Sequence, residues 1–210
     1  MIAGSGETAI PESPSRRKLA FRGLLEIIET LVLTVLIFLV VHTFVAQPFR
    51  VEQSSMVSTL LPDQFVLVDK LTPRWAPYER GDIVVFQPPE TFGSSSDAPF
   101  IKRVIGLPGD RVDLQDGFVI VNGVQLDEPY VFLRGGKPDP TEPRGAGADS
   151  WLVADGTLFV LGDHRSASED SRVFGPIDVS SVLGRALLRY WPLDTFGTLD
   201  RPAYPELASG

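Results

Sequence analysis

The sequence predicts a mainly β fold, with a single N-terminal transmembrane helix followed by an antiparallel β-sheet or barrel-like domain. Three observations carry that prediction. One long apolar run lies near the N-terminus. The remainder holds many short apolar runs of strand length, and Gly-Asp and Asn-Gly pairs punctuate them. No long amphipathic helix pattern follows the apolar run, which favours two sheets or a barrel over a helical layer.

Taken in order, residues 1–23 read as a disordered basic tail, rich in Gly, Ser and Pro before Arg16, Arg17, Lys18 and Arg22. The anchor spans 24–47. Its core, Thr30 to Ala46, is broken only by Thr34, His42 and Thr43. At ~1.5 Å per residue the core is about 25 Å long, and reaching back to Leu24 it passes the ~30 Å of bilayer hydrocarbon. The basic residues ahead of it place the N-terminus in the cytoplasm and everything after Gln47 outside, as a single-pass protein of the cell membrane. A cleaved leader would have a shorter apolar region ending in small residues, so the anchor is read as retained. Pro48 is expected to end the helix.

Residues 48–210 then form the extracytoplasmic β-rich domain. Phe65–Val68, Ile83–Phe86, Phe100–Ile105, Phe118–Val121, Leu158–Leu161 and Val182–Tyr190 are the strand candidates. Asn122-Gly123, between Phe118–Val121 and Val124–Leu126, is a type I′ hairpin signal. Residues 111–157 read as a small inserted β subdomain with a mobile loop at 135–149, and Gly93–Asp97 reads as a second mobile loop.

Composition narrows the chemistry. The chain of 210 residues has no cysteine, which removes thiol nucleophiles, disulfides and cysteine-bound metals. His42 and His164 are too few for most zinc sites. A formal charge of −8 argues against a nucleic-acid partner.

What remains is a hydroxyl-based site close to the anchor. Gln53-Ser54-Ser55-Met56-Val57-Ser58-Thr59 follows the apolar run, but a serine hydroxyl needs a neighbouring base to act as a nucleophile. In Phe100-Ile101-Lys102-Arg103-Val104-Ile105, strand alternation puts Lys102 on the face of Phe100 and Val104, and Arg103 on the other. One of the two cations must therefore occupy the more buried face. A lysine serves as a base near neutrality only when burial lowers its pKa by ~2 to 3 units. The stretch Gly162 to Arg172, directly after a strand, supplies short hydroxyl and charged groups. Ser168 is expected to hydrogen-bond the lysine amine, with Asp170 and Arg172 fixing the loop.

These motifs occur together in a known order. The anchor, the Ser-Met pair, Arg80-Gly81-Asp82-Ile83-Val84-Val85-Phe86, Lys102-Arg103-Val104-Ile105-Gly106-Leu107-Pro108-Gly109-Asp110, and Gly162-Asp163-x-Arg165 through Asp170-Ser171-Arg172 resemble the bacterial type I signal peptidases, over roughly Glu26 to Leu193. The resemblance implies a Ser/Lys-dyad endopeptidase without metal or cofactor. It assigns Ser55 as nucleophile, Lys102 as general base, Ser168 as the hydroxyl that orients the lysine, and Asp170 and Arg172 as structural supports. Substrate contacts are expected around Met56. The implied partners are secreted preproteins, cut after a small residue at the outer surface of the lipid bilayer.

The chain departs from the family pattern Ser-Gly-Ser-Met-x-Pro-Thr. Gln53 stands where a second oxyanion donor is expected and has only its side-chain amide to offer; Ser54 replaces the glycine, Ser58 the proline, and His164 the usual Asn. Three other readings stay open at this level: a Ser/His hydrolase using His164, a membrane-anchored binding protein that keeps the fold without turnover, and a self-cleaving repressor with a similar domain. The last conflicts with the membrane span.

Overall fold

The computed structural model describes residues 16–40, 42, 45–89, 98–145 and 147–207, in two units, Met1–His42 and Thr43–Gly210. The first unit is the helix α1 (Arg16–Val40). Within it Gly23–Val40 has a mean hydropathy of 2.4 and is long and apolar enough to cross a membrane by length and composition. Its threonines do not leave polar groups loose: the hydroxyls of Thr30 and Thr34 donate 2.8 Å bonds to the carbonyls of Glu26 and Thr30.

Both expected helix limits shift. Residues 16–22, read from the sequence as tail, are helical, and α1 stops at Val40 rather than at Pro48. The reason at the far end is a strand, β1 (Ala46–Arg50), whose register pairs Pro48 with Leu67 of β2 (Phe65–Asp69). Proline is tolerated there because β1 ends the sheet, where one side needs no ladder donor. The tail at 1–15 and the expected loop at Gly93–Asp97 lie outside the described residues.

The second unit is built on an antiparallel sheet ordered β1-β2-β13-β3-β4-β11-β12, with β14 paired to β13. Its further members are β3 (Ile83–Phe86), β4 (Phe100–Gly106), β11 (Thr157–Leu161), β12 (Ile177–Asp178), β13 (Val182–Trp191) and β14 (Gly197–Thr198). The path is open, and β1 and β12 are its ends. Alternation along β3 explains its runs of Val and Ile. Ile83 and Val85 enter a core with Val51, Met56, Leu60 and Ile101, while Val84 and Phe86 enter another with Phe100, Val104 and Ile177. Apolar side chains therefore cover both faces of the central strands. This corrects the expectation that one cation of β4 lies on a more buried face than the other: Lys102 is 0% exposed and Arg103 1%.

A smaller sheet, ordered β10-β5-β6-β7, comprises β5 (Arg111–Gln115), β6 (Phe118–Val121), β7 (Val124–Gln125) and β10 (Ser150–Leu152). Asp116-Gly117 and Asn122-Gly123 join its strands with both residues of each pair at positive φ, the geometry of a type I′ turn. A shared core of Val112, Val119 and Val121 with Ile105, Phe159 and Leu161 fuses it to the main sheet. The segment read as a mobile loop at 135–149 is structured in large part. Two short strands, β8 (Leu133–Arg134) and β9 (Lys137–Pro138), make a hairpin, Asp139 and Thr141 are buried, and the Arg144 guanidinium donates to the carbonyls of Ser168 (2.6 Å) and Ser166 (3.0 Å). Its glycines and prolines concealed this, because the segment gains its order from contacts with distant residues rather than from its own periodicity.

Candidate active site

Ser55 is held by a single 3-10 turn, Ser54–Met56, that leaves β1 by way of Val51. Met56 drives the turn into place by burying its side chain in the first core, beside Leu60 and Val66. Its burial fixes the turn that carries Ser55, and none of its surface is open to a substrate, so the expected substrate contact is not available in this structure. Two further bonds fix the turn. The Ser55 carbonyl accepts the His164 backbone N–H at 2.9 Å, and the Ser58 hydroxyl donates to the Tyr130 carbonyl at 2.7 Å.

Ser58 has φ 91°, a backbone region closed to proline, whose ring holds φ near −65°. The substitution relative to the family pattern is therefore not a loosened version of the same turn. It is a left-handed turn pinned by a hydroxyl. Ser58→Pro is expected to lower the thermal midpoint, at a cost of ~2 kcal/mol or more from backbone conflict and the lost bond, and to reduce activity. Unchanged melting and turnover would contradict this account of the turn.

The candidate base comes from β4. Lys102 Nζ lies 2.8 Å from Ser55 Oγ and donates to the Ile101 carbonyl at 3.1 Å, with the Phe100 ring centroid 4.9 Å away. Burial strips the ammonium of its hydration and pulls its pKa down to about 8, against the opposing pull of Asp170, Glu169 and Asp163. A neutral amine so placed has its lone pair available to the Ser55 hydroxyl while one N–H is held by the Ile101 carbonyl.

The loop after β11 builds the surroundings. Asp163 grips Arg103 through bonds from Nε (2.9 Å) and Nη2 (2.7 Å), and Arg103 also donates to the Gly81 carbonyl at 3.0 Å. Thr59 joins this cluster by donating to Asp163, so the buried pair reaches the nucleophile turn. Asp170 caps α2 (Ser171–Phe174) and takes two 2.8 Å bonds from the Arg172 guanidinium. Burial would raise its carboxyl, but these bonds outweigh it and hold the pKa below the usual range. Arg172 also donates to the Arg165 carbonyl at 2.6 Å, and Arg165 itself pairs with Glu128 at 2.6 and 3.0 Å.

Ser168 is the exception. Its hydroxyl is buried and, among the described residues, makes no hydrogen bond to Lys102, so the expected bond is not made. The hydroxyl lies against Gly162, where an added Cβ would approach it to 2.2 Å and the Ser55 carbonyl to 2.6 Å. Only glycine fits between them. Gln53 is exposed at the entrance to the turn, in extended backbone. His164, the alternative base, stacks its ring on Phe132 at 4.1 Å, while the hydrogen bond to Ser55 Oγ is made by Lys102. Sequence reasoning gave no role to Tyr130, Arg165 or Arg144. Tyr130 carries its ring under Arg103 at 4.0 Å, and no local periodicity signals a contact made across such a sequence separation.

On the β3 side of Lys102 lies a cavity of about 190 Å³ lined by Gln47, Phe49, Val68, Lys70, Val85 and Pro99. Its walls are mostly apolar, and its size suits small side chains. Among the described residues no group of His, Cys, Asp and Glu has the arrangement of a metal site.

Comparison with known proteins places this geometry in context. The family described as signal peptidase, peptidase S26, matches residues 24–191. A signal peptidase I of Leptolyngbya laminosa is 35% identical over 96% of this chain and 98% of its own length. One from Bacillus caldolyticus is 37% identical over 73% of this chain and 84% of its own. A solved structure of a signal peptidase I from Enterococcus faecalis V583 is 34% identical, with a TM-score of 0.42 over 52% of this chain and 97% of that one.

Proposed function

The chain belongs to the signal peptidase family, peptidase S26, and on that premise we propose that it removes signal peptides from secreted preproteins with Ser55 as nucleophile and Lys102 as general base. It is a serine endopeptidase, a hydrolase. The observation that carries the assignment of residues is the 2.8 Å approach of a fully buried lysine amine to Ser55 Oγ.

In the proposed reaction the neutral Lys102 amine takes the Ser55 proton as Oγ attacks the scissile carbonyl. The ammonium so formed protonates the departing amine of the mature chain. A water then enters, gives its proton to Lys102 and cleaves the acyl ester by the reverse route. The Ser55 backbone N–H is the natural donor to the oxyanion, and the Gln53 side-chain amide is the candidate second donor. Asp163, Asp170 and Arg172 hold the loop against which Ser55 is seated. The apolar cavity beside Phe49 and Val85 is suited to a small side chain upstream of the cut. The Gly23–Val40 stretch serves as the anchor that keeps the enzyme in the cell membrane, with its N-terminus cytoplasmic and residues 43–210 outside.

The test is direct. Detergent-solubilised protein is incubated with a preprotein, and the new N-terminus is identified by mass spectrometry. Cleavage after a small residue is expected, falling at least about 1000-fold in Ser55→Ala. A wild-type preparation that yields no product, or a Ser55→Ala variant that cuts as well, sinks the proposal.

A further inference from the structure

The hairpin β8–β9 has no part in the chemistry above, yet its base is built into the active-site loop. Phe132, directly before β8, donates its N–H to the Asp163 carbonyl at 2.9 Å and stacks on His164, whose own N–H holds the Ser55 carbonyl. At the other end Asp139, directly after β9, accepts the Ser166 N–H at 2.7 Å. The projecting part turns at Gly135-Gly136, both at positive φ, and places Arg134 directly opposite Lys137. Like charges opposed across a strand pair are unfavourable, and these are exposed cations on a chain of net charge −8. Arg134 has an anion within reach, Asp139 at 3.1 Å. Both cations are exposed on a hairpin whose base is seated on the active-site loop.

The position of the hairpin relative to the substrate follows from sheet order. β4, carrying Lys102, lies between β3 and β11. The small apolar cavity is on the β3 side, and the loop that seats the hairpin extends β11. A chain whose small residues before the cut occupy the cavity leaves Ser55 toward the hairpin. A cleft of about 800 Å³ is lined by both cations and by Asp116, Asp127, Glu128 and Asp139. Resting on the signal-peptidase reading above, we infer that Arg134 and Lys137 select substrates by the charge of the first few residues of the mature chain, favouring an acidic side chain at about the third position after the cut. Three extended residues reach ~10 Å beyond the cut, and that is the position the test probes. An acidic side chain there meets the two cations, whereas a lysine meets them as like charge and is drawn toward Asp116 and Asp127 instead.

The experiment uses the full-length protein in detergent with two peptide substrates identical up to the cut and carrying Glu or Lys at the third position after it. Wild type is expected to favour the Glu substrate about threefold in kcat/KM, the size typical of an exposed charge contact, with the preference shrinking at about 0.5 M salt. Lys137→Glu should invert the ratio and Arg134→Gln should bring it toward one. Because each ratio compares two substrates on the same preparation, a general loss of folding or activity does not mimic the effect. A ratio unmoved in Lys137→Glu, or a wild type that prefers Lys, overturns the inference while leaving the peptidase reading intact. Failure of wild type to cut either peptide overturns both.

Discussion

Lys102→Met is expected to be inactive, with kcat/KM lower by a factor of at least about 1000, and yet no less stable than the wild type at pH 7. Both halves follow from the same burial. The amine is 0% exposed, and its pKa is pulled down to about 8 from the ordinary 10.5. That difference corresponds to about 3 kcal/mol at ~1.36 kcal/mol per unit. Below pH 8 both folded and unfolded chains carry the proton, and the cost of burying the ammonium is fully present. Between about 8 and 10.5 the unfolded chain holds a proton that the folded one has shed, so stability rises with pH through that window. Methionine has similar length and no charge, and it gives up only the bonds to Ser55 and Ile101, worth ~1 kcal/mol each. The thermal midpoint of Lys102→Met should therefore match or exceed wild type at pH 7, and the gap should close toward pH 10. Turnover by the wild type has the matching signature: log kcat/KM rises with a slope of about one per pH unit up to about 8 and then levels off. A profile centred near 10.5, or a Lys102→Met protein that still cuts, would remove the lysine from the mechanism.

The largest loss of stability is expected from Asp163→Asn. Asp163 is fully buried and supplies both bonds that neutralise Arg103, which is itself 1% exposed. Removing the charge leaves a guanidinium in the interior with neutral acceptors alone: the asparagine amide oxygen, the Gly81 carbonyl and Thr59. Breaking a buried pair in this way costs ~3 to 5 kcal/mol, a drop of roughly 10 °C for a domain of this size. Replacing both partners, Arg103→Met with Asp163→Leu, should be milder than Asp163→Asn alone, because no unpaired charge is left behind. A thermal midpoint within a few degrees of wild type for Asp163→Asn would mean that water reaches Arg103. Activity should fall with stability in the single variant, since Thr59 and the nucleophile turn hang on the same carboxylate.

How far the sequence could be read depended on whether a residue's environment was local. The strands with alternating or continuous Val and Ile, such as Ile83–Phe86 and Phe118–Val121, match the structure because burial on one or both faces writes itself into composition. β1 escaped notice because Pro48 signals a break, and only its place at the sheet edge makes it compatible with pairing. At the site, Ser55 and Lys102 were legible from residue type and context, and the structure brings them into hydrogen-bonding distance. The burial of Arg103 beside Lys102 was not. It depends on distant residues, Asp163, Thr59 and the Tyr130 ring, and on the core that Ile105 of the same strand shares with the small sheet. The left-handed turn at Ser58 was not legible for another reason: a positive φ leaves no mark on the identity of the residue that adopts it. The hydroxyl of Ser168 carries a chemical type that suits a bond to the amine, but residue type fixes no rotamer, and the bond is absent.

Tyr130 belongs by sequence to the segment that follows β7, well away from Ser55 and Lys102. Its carbonyl takes the Ser58 hydroxyl, its ring lies under Arg103, and its phenol sits between Glu128 (2.7 Å) and Tyr204 (3.0 Å). A trimmed peptidase made by excising the small sheet and splicing Gly109 to Ala154 would therefore lose a keystone of the nucleophile's seat along with what looks like an accessory lobe. Engineers seeking a minimal version of this enzyme would have to shorten the chain elsewhere or graft a replacement for that one tyrosine.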